Sequence, residues 1–130
     1  MKSYTDIKQS KKLEEILPID SADMCFANDG TAIKIDAQPY NVRKLMWKDV
    51  QLIPCWGLAA LLQVLPLGIY DEFDGCDYEL EIDMINKMPR YIRLGDIYHS
   101  QFPYDFEKDT LIDNIVESII WLNDNNYFEL

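Results

Sequence analysis

The order of apolar and polar residues along this chain changes rhythm several times, and each rhythm predicts an element. Cys76, Tyr78, Leu80, Ile82 and Met84 alternate with Asp77, Glu79, Glu81 and Asp83. A period of two puts all the apolar residues on one face of a strand. A second strand is expected from Arg90 to Leu94, with Ile92 and Leu94 turned to the same core and Tyr91 and Arg93 outward. Gly95-Asp96 supplies a two-residue turn into a third strand, Ile97 to Phe102. Together these make an antiparallel meander over about residues 76–102.

Further on the rhythm lengthens. Leu111, Ile112, Ile115, Val116, Ile119 and Ile120 recur at helical spacing, with Asp113, Asn114, Glu117 and Ser118 on the opposite side. The pattern predicts a C-terminal helix over about 110–125, capped by Thr110 with Asp113 reaching back. Asn125 or Asn126 ends it in the left-handed conformation, and the tail with Tyr127, Phe128 and Leu130 is expected to fold back on the core. Near the start, Ile7, Leu13, Ile16 and Leu17 form a thin stripe among lysines and glutamates. That predicts an N-terminal helix over about 6–17, with Thr5 as N-cap and Pro18 as its stop.

Between two prolines, the run Pro54 to Pro66 carries Gln63 as its one strongly polar side chain. An all-round apolar helix is a buried one, and this one is shorter than the 20 or so residues a bilayer span requires. It is expected to form a buried central helix over about 56–65, packed with the meander and the C-terminal helix. From Asp20 to Gln51 the signals are thin. Met24 to Ala27 and Ala32 to Ile35 flank Asn28-Asp29-Gly30-Thr31 and suggest a short hairpin. Asp36 to Asp49 reads as an irregular connection, with a helical turn at Val42 to Trp47. The fold class expected is a single α+β domain covering residues 1–130.

Composition adds limits. At 130 residues and 48% apolar content, the chain can bury a core without disulfides. The N-terminus lacks the apolar run of a signal peptide, so a cytoplasmic protein is expected. Cys25, Cys55 and Cys76 are odd in number and widely spaced, which suggests buried thiols and neither a disulfide framework nor a zinc site. The net charge of −11 is concentrated late in the chain. Residues 1–48 hold eight basic against seven acidic side chains, and residues 49–130 hold four against sixteen. A surface of that sign repels phosphate backbones, so direct nucleic-acid binding is disfavoured and a partner protein with a basic surface is favoured.

Several blocks together are familiar. Ser10-Lys-Lys-Leu13, Leu17-Pro18, Ala22-Asp-Met24, Pro54-Cys-Trp56 with Leu58, Ala60-Leu-Leu62 and Leu65-Pro66, and Asp113 with Ile120-Trp-Leu122 resemble a family of short uncharacterised proteins. Such proteins occur in gut anaerobic bacteria and on their phages and mobile elements. The resemblance spans most of the chain, residues 25–53 and 67–76 least. It implies an α+β domain without an assigned activity and carries over no catalytic residue. Gly57 departs from the family pattern, where a small hydroxyl residue follows the tryptophan.

Candidate chemistry is sparse. Asp77, Glu79, Glu81 and Asp83 project from one strand face, as carboxylates for acid/base work or cation binding would, but also as any solvated sheet face does. Arg90 and Arg93 on the next strand are placed to screen them. The acid-x-Lys element of restriction-like nucleases is missing at Glu79-Leu80-Glu81. Gly68-Ile-Tyr70 and Tyr91-Ile-Arg93 weakly resemble the GIY-YIG nuclease triplets, at too long a spacing. His99 is the single histidine. An enzyme reading would assemble His99, the sheet acids and Cys76 into a hydrolase or metal-dependent site.

Three aromatics, Trp47, Trp56 and Trp121, are candidates for core or for a partner surface. The expectation is therefore a non-enzymatic protein-interaction domain of an accessory or mobile genetic element. It needs no cofactor, no metal and no membrane, and Asp77, Glu79, Glu81, Asp83, Trp121 and Tyr127 are its partner-binding residues. A DNA-charge mimic inhibiting a nucleic-acid-binding protein, a self-associating subunit, and the small hydrolase are the alternatives.

Overall fold

A computed structural model describes residues 2–26, 32–34, 52–93, 101–102 and 108–128. The elements run α1 (Ile7–Glu14), a single 3-10 turn (Ile19–Ser21), β1 (Met24–Phe26), β2 (Ala32–Lys34), β3 (Ile53–Cys55), α2 (Leu58–Val64), β4 (Gly68–Asp71), β5 (Cys76–Asp83), β6 (Met88–Arg93), β7 (Gln101–Phe102) and α3 (Leu111–Asp124). Both sheets are antiparallel, and helices and sheets together make an α+β fold. The chain divides into two compact units, one ending at Val64 and the other beginning at Leu65.

The first unit is organised around Thr5. The expected N-cap of α1 is Thr5, but Asp6 takes that place: its carboxylate accepts from Gln9 N at 2.7 Å, and Gln9 Oε1 accepts from Asp6 N at 3.0 Å. Thr5 is committed elsewhere. Its N–H donates to Trp56 O at 3.0 Å, and its hydroxyl accepts from Trp56 N at 3.2 Å and bonds Ser10 Oγ at 2.8 Å. Tyr4 and Gly57 form a bridge beside it. Thr5, Ser10, Leu13, Cys55 and Trp56 are all fully buried. Sequence spacing cannot distinguish a capping threonine from one that pairs with a strand about 50 residues later.

In that unit the sheet order is β2-β1-β3, with Cys25 opposite both Ile33 and Pro54. The expected hairpin pairs as anticipated through β1 and β2, while Asn28 to Thr31 and the 36–49 connection lie outside the described residues. Pro54 belongs to β3, not to a helix start, and α2 is two residues shorter at its beginning than expected. Its burial is also one-sided: Ala60 and Leu61 are buried, whereas Ala59 and Gln63 are exposed.

In the second unit the sheet has the order β4-β5-β6-β7. The alternation in β5 holds in direction: Tyr78 is buried and Leu80 and Ile82 are half-buried, while Asp77, Glu79 and Glu81 are exposed. β4 is an added strand, pairing Gly68 with Glu79 and Ile69 with Tyr78. The face assignment of β6 is corrected. Tyr91 lies opposite Leu80 and is fully buried, whereas Ile92 lies opposite Glu79 on the acidic face. Tyr91 reconciles a polar tip with this position by donating its hydroxyl to Pro66 O at 2.8 Å. The Gly95-Asp96 turn lies outside the described residues.

Helix α3 packs against β6. Its Thr110 Oγ1 accepts from Asp113 N at 3.1 Å, and it ends with Asn126 at φ 62°. Asn126 N donates to Asn123 O at 3.1 Å and Tyr127 N to Leu122 O at 2.9 Å, the two bonds of a Schellman motif. Ile112, Ile115, Val116, Ile119 and Leu122 are buried, each contributing about 1.5–3 kcal/mol of apolar burial. The expected polar face is narrower than predicted, because Asn114 and Ser118 are also fully buried. Ser118 Oγ donates back to Asn114 O at 2.9 Å. Asn114 Nδ2 donates to Lys87 O at 2.7 Å and Lys108 O at 3.2 Å, and its Oδ1 accepts from Lys108 N at 3.0 Å.

Candidate functional site

The side chains singled out as partner-binding fall on three parts of the second unit. Asp77, Glu79 and Glu81 form an exposed row along β5, shared by register with exposed Tyr70 and with Arg90 and Ile92. Arg93 lies opposite Tyr78 on the other face, so only Arg90 of the two arginines stands beside the row.

Asp83, grouped with them in the sequence, has a different task. Its Oδ1 accepts from Ile85 N at 3.0 Å and Asn86 N at 3.1 Å, its Oδ2 from Asn86 Nδ2 at 2.7 Å, and Arg90 Nη1 lies 3.0 Å away. These bonds, the Asn86 side chain first, hold its carboxyl below the ordinary range. Asp83 thus builds the β5–β6 turn, whose Lys87 adopts φ 56°.

At the opposite end lies the β4–β5 turn. Asp71 Oδ1 accepts from Phe73 N at 2.9 Å, Gly75 N donates to Asp71 O at 2.8 Å, and Asp74 Oδ1 accepts from Cys76 N at 3.0 Å. Gly75 has φ 67°, which a side chain rarely adopts. Tyr78 donates its hydroxyl to Asp74 Oδ2. That bond pushes the Tyr78 phenol up to about 12 and holds the Asp74 carboxyl down. Phe73, at the tip, is fully exposed.

Trp121 and Tyr127 stack with ring centroids 5.5 Å apart and planes at 17°. The Schellman turn makes this contact, since it reverses the chain after Asn125. Both rings are half-buried. Burial, followed by the carboxylates of Asp71, Asp74 and Glu72, raises the Tyr127 phenol. Sequence reasoning named Trp121 and Tyr127 but not their stacking, and it missed the β4–β5 turn. Its signal was Asp71-Glu-Phe-Asp-Gly75, an acidic turn with an unshielded aromatic.

Other candidates fall away or lie elsewhere. Trp56 is fully buried and donates Nε1–H to Ser21 Oγ at 2.9 Å, so it is a core residue. Trp47 and His99 lie outside the described residues. Gly68-Ile-Tyr70 and Tyr91-Ile-Arg93 occupy β4 and β6, separated by β5, so they do not form a paired motif. Cys55 is fully buried beside Thr5, and burial pushes its thiol up, which suits a packed side chain and not a nucleophile. Among the described residues no group of three or more His, Cys, Asp or Glu is arranged to hold a metal ion. No described helix is long and apolar enough to cross a membrane. In comparisons with known proteins, the chain matches no family model, no curated protein and no solved structure.

Proposed function

We propose that this protein is a non-enzymatic interaction domain that binds a partner protein through a basic surface on that partner, acting in the cytoplasm as part of an accessory or mobile genetic element. The observation that carries the reading is the exposed row Asp77, Glu79 and Glu81 on a hydrogen-bonded sheet. Such a row is held in register by backbone pairing, so its charges keep a fixed spacing and can meet a complementary surface without reordering. Charge complementarity of this kind steers association and makes it sensitive to salt. The resemblance of several sequence blocks to short proteins of gut bacteria and their phages supports the genetic setting.

The test is affinity capture at low salt with the full chain and with the triple variant Asp77→Lys, Glu79→Lys, Glu81→Lys. A protein retained by the first and lost by the second supports the reading. Retention that is equal for both, or no retained protein, refutes it.

A further inference from the structure

We propose that strand β4, at the open edge of the second unit's sheet, takes up an extended segment of the partner as an added antiparallel strand, whose basic side chains at alternate positions meet Asp77 and Glu79. The inference rests on the protein-interaction reading and gives that reading a backbone anchor and a spacing of charge in the partner.

Register shows which backbone groups β4 leaves open. It ends the order β4-β5-β6-β7, so among the described residues β5 pairs with one side of it and no strand pairs with the other. Leu80 N donates to Leu67 O at 2.9 Å, and in the same register Gly68 lies opposite Glu79 and Ile69 opposite Tyr78. Hydrogen-bonded positions alternate with the others along an antiparallel pair. Ile69, two residues beyond Leu67, therefore turns its N–H and carbonyl toward β5, whereas Gly68 and Tyr70 turn theirs to the outer edge. Both residues are exposed, and neither makes a hydrogen bond outside the sheet among the described residues. Proteins commonly block such an edge with a lysine, a proline or a bulge. Gly68-Ile-Tyr-Asp71 contains no lysine or proline, and its register with β5 runs without a bulge.

Charge identifies the occupant. Gly68 and Tyr70 lie opposite Glu79 and Asp77, on the face of the acidic row. Neither carboxylate has an ion pair or hydrogen bond among the described residues, and the nearby Arg90 is bound to Asp83. Gly68 has no side chain, so nothing on β4 stands between the outer edge and Glu79 at that level. A strand added to β4 lies two strand spacings, about 10 Å, from β5. A lysine or arginine opposite Gly68 crosses that gap toward Glu79, and one opposite Tyr70 passes along the ring toward Asp77. Those two positions are separated by one residue facing the other side, so the basic residues of the segment alternate. A second copy of this chain, paired through its own β4, would set its acidic row beside this one at a net charge of −11 each. The sign selects a basic strand over self-pairing.

The probe is a short fluorescent peptide of alternating lysine and threonine, titrated into the full chain at low salt. Beside it run an isomer with its lysines in one block and a copy N-methylated at every lysine, which keeps the charge and removes the N–H groups that strand pairing needs. The alternating peptide is expected to bind about three- to fivefold tighter than either comparison. At saturation it is expected to slow amide exchange at Gly68 and Tyr70 and to leave Ile69, already bonded to β5, unchanged. Equal affinity for the alternating peptide and either comparison, or unchanged exchange at Gly68 and Tyr70, overturns strand addition. If binding is then still lost in the Asp77→Lys, Glu79→Lys, Glu81→Lys variant, the interaction reading stands without it. Failure of every peptide to bind the wild-type chain, or binding undiminished in that variant, overturns both.

Discussion

Replacing Asn114 by leucine tests the packing on which every surface of the second unit depends. The side chain is fully buried and serves three backbone groups: the carbonyls of Lys87 and Lys108 and the N–H of Lys108. Leucine has the same number of side-chain heavy atoms, though a larger volume, and serves none of them. Each group left unpaired in a buried setting costs about 1–3 kcal/mol. Lys87 and Lys108 are themselves exposed residues, so water can partly replace the lost bonds and the low end applies, about 1 kcal/mol each. Added apolar burial returns about 1 kcal/mol, leaving a net loss of about 2 kcal/mol. Against a total stability of about 5–15 kcal/mol this is large, and it lowers Tm by about 6–10 °C in a chain of this length. Urea denaturation followed by circular dichroism measures it, with Asn123→Ala as an exposed comparison expected to change stability by less than about 0.5 kcal/mol. Faster amide exchange at Lys108, whose N–H loses its acceptor, is expected alongside. An Asn114→Leu protein as stable as the wild type to within about 0.5 kcal/mol would refute the argument that this residue latches the helix to the β5–β6 turn.

Three further outcomes follow from the same reasoning. At Gly57 an added Cβ would stand 2.9 Å from Asp23 Oδ2, while Gly57 N donates to Asp23 Oδ1 at 2.7 Å; Gly57→Ala is therefore expected to cost about 1–2 kcal/mol in thermal unfolding, and no loss would contradict the close approach. The phenols of Tyr78, raised to about 12, and Tyr91, raised by burial, have folded values above the ordinary value of 10, so the fold favours the protonated form. Their contribution is complete below about pH 10 and is lost as pH climbs through the folded values, so denaturation midpoints should fall between about pH 10 and 12; a flat profile there would be inconsistent. Finally, half-exposed Cys76 should react first with a thiol reagent and buried Cys25 and Cys55 only on unfolding, whereas rapid native reaction of all three would exclude the described core.

The elements with a sustained period were legible from the chain alone. Fourteen residues of α3 and the alternation of β5 repeat their pattern often enough for the buried side to dominate. Errors arose where a side chain's partner is distant in sequence. Thr5 resembles a cap until Trp56 claims its hydroxyl, and Asn114 resembles part of a solvated face until the backbone of Lys87 and Lys108 takes its amide. Tyr91 reads as outward because a tyrosine flanked by Arg90 and Ile92 gives no parity signal; its register with Leu80 settles it. In the candidate site, the exposed row of Asp77, Glu79 and Glu81 could be read from alternation. Asp83 could not be separated from them, because its turn bonds depend on the conformation of Ile85 and Asn86. Nor could the stacking of Trp121 on Tyr127 be seen, which arises only when the chain reverses after Asn125.

The most direct test is an amide chemical-shift map of the isotopically labelled full chain during titration at low salt with a short basic peptide. The account predicts the largest shifts at Asp77 to Glu81 and at the strand residues paired with them, Tyr70, Arg90 and Ile92. Shifts concentrated between Thr5 and Val64, or none at saturating peptide, would contradict it.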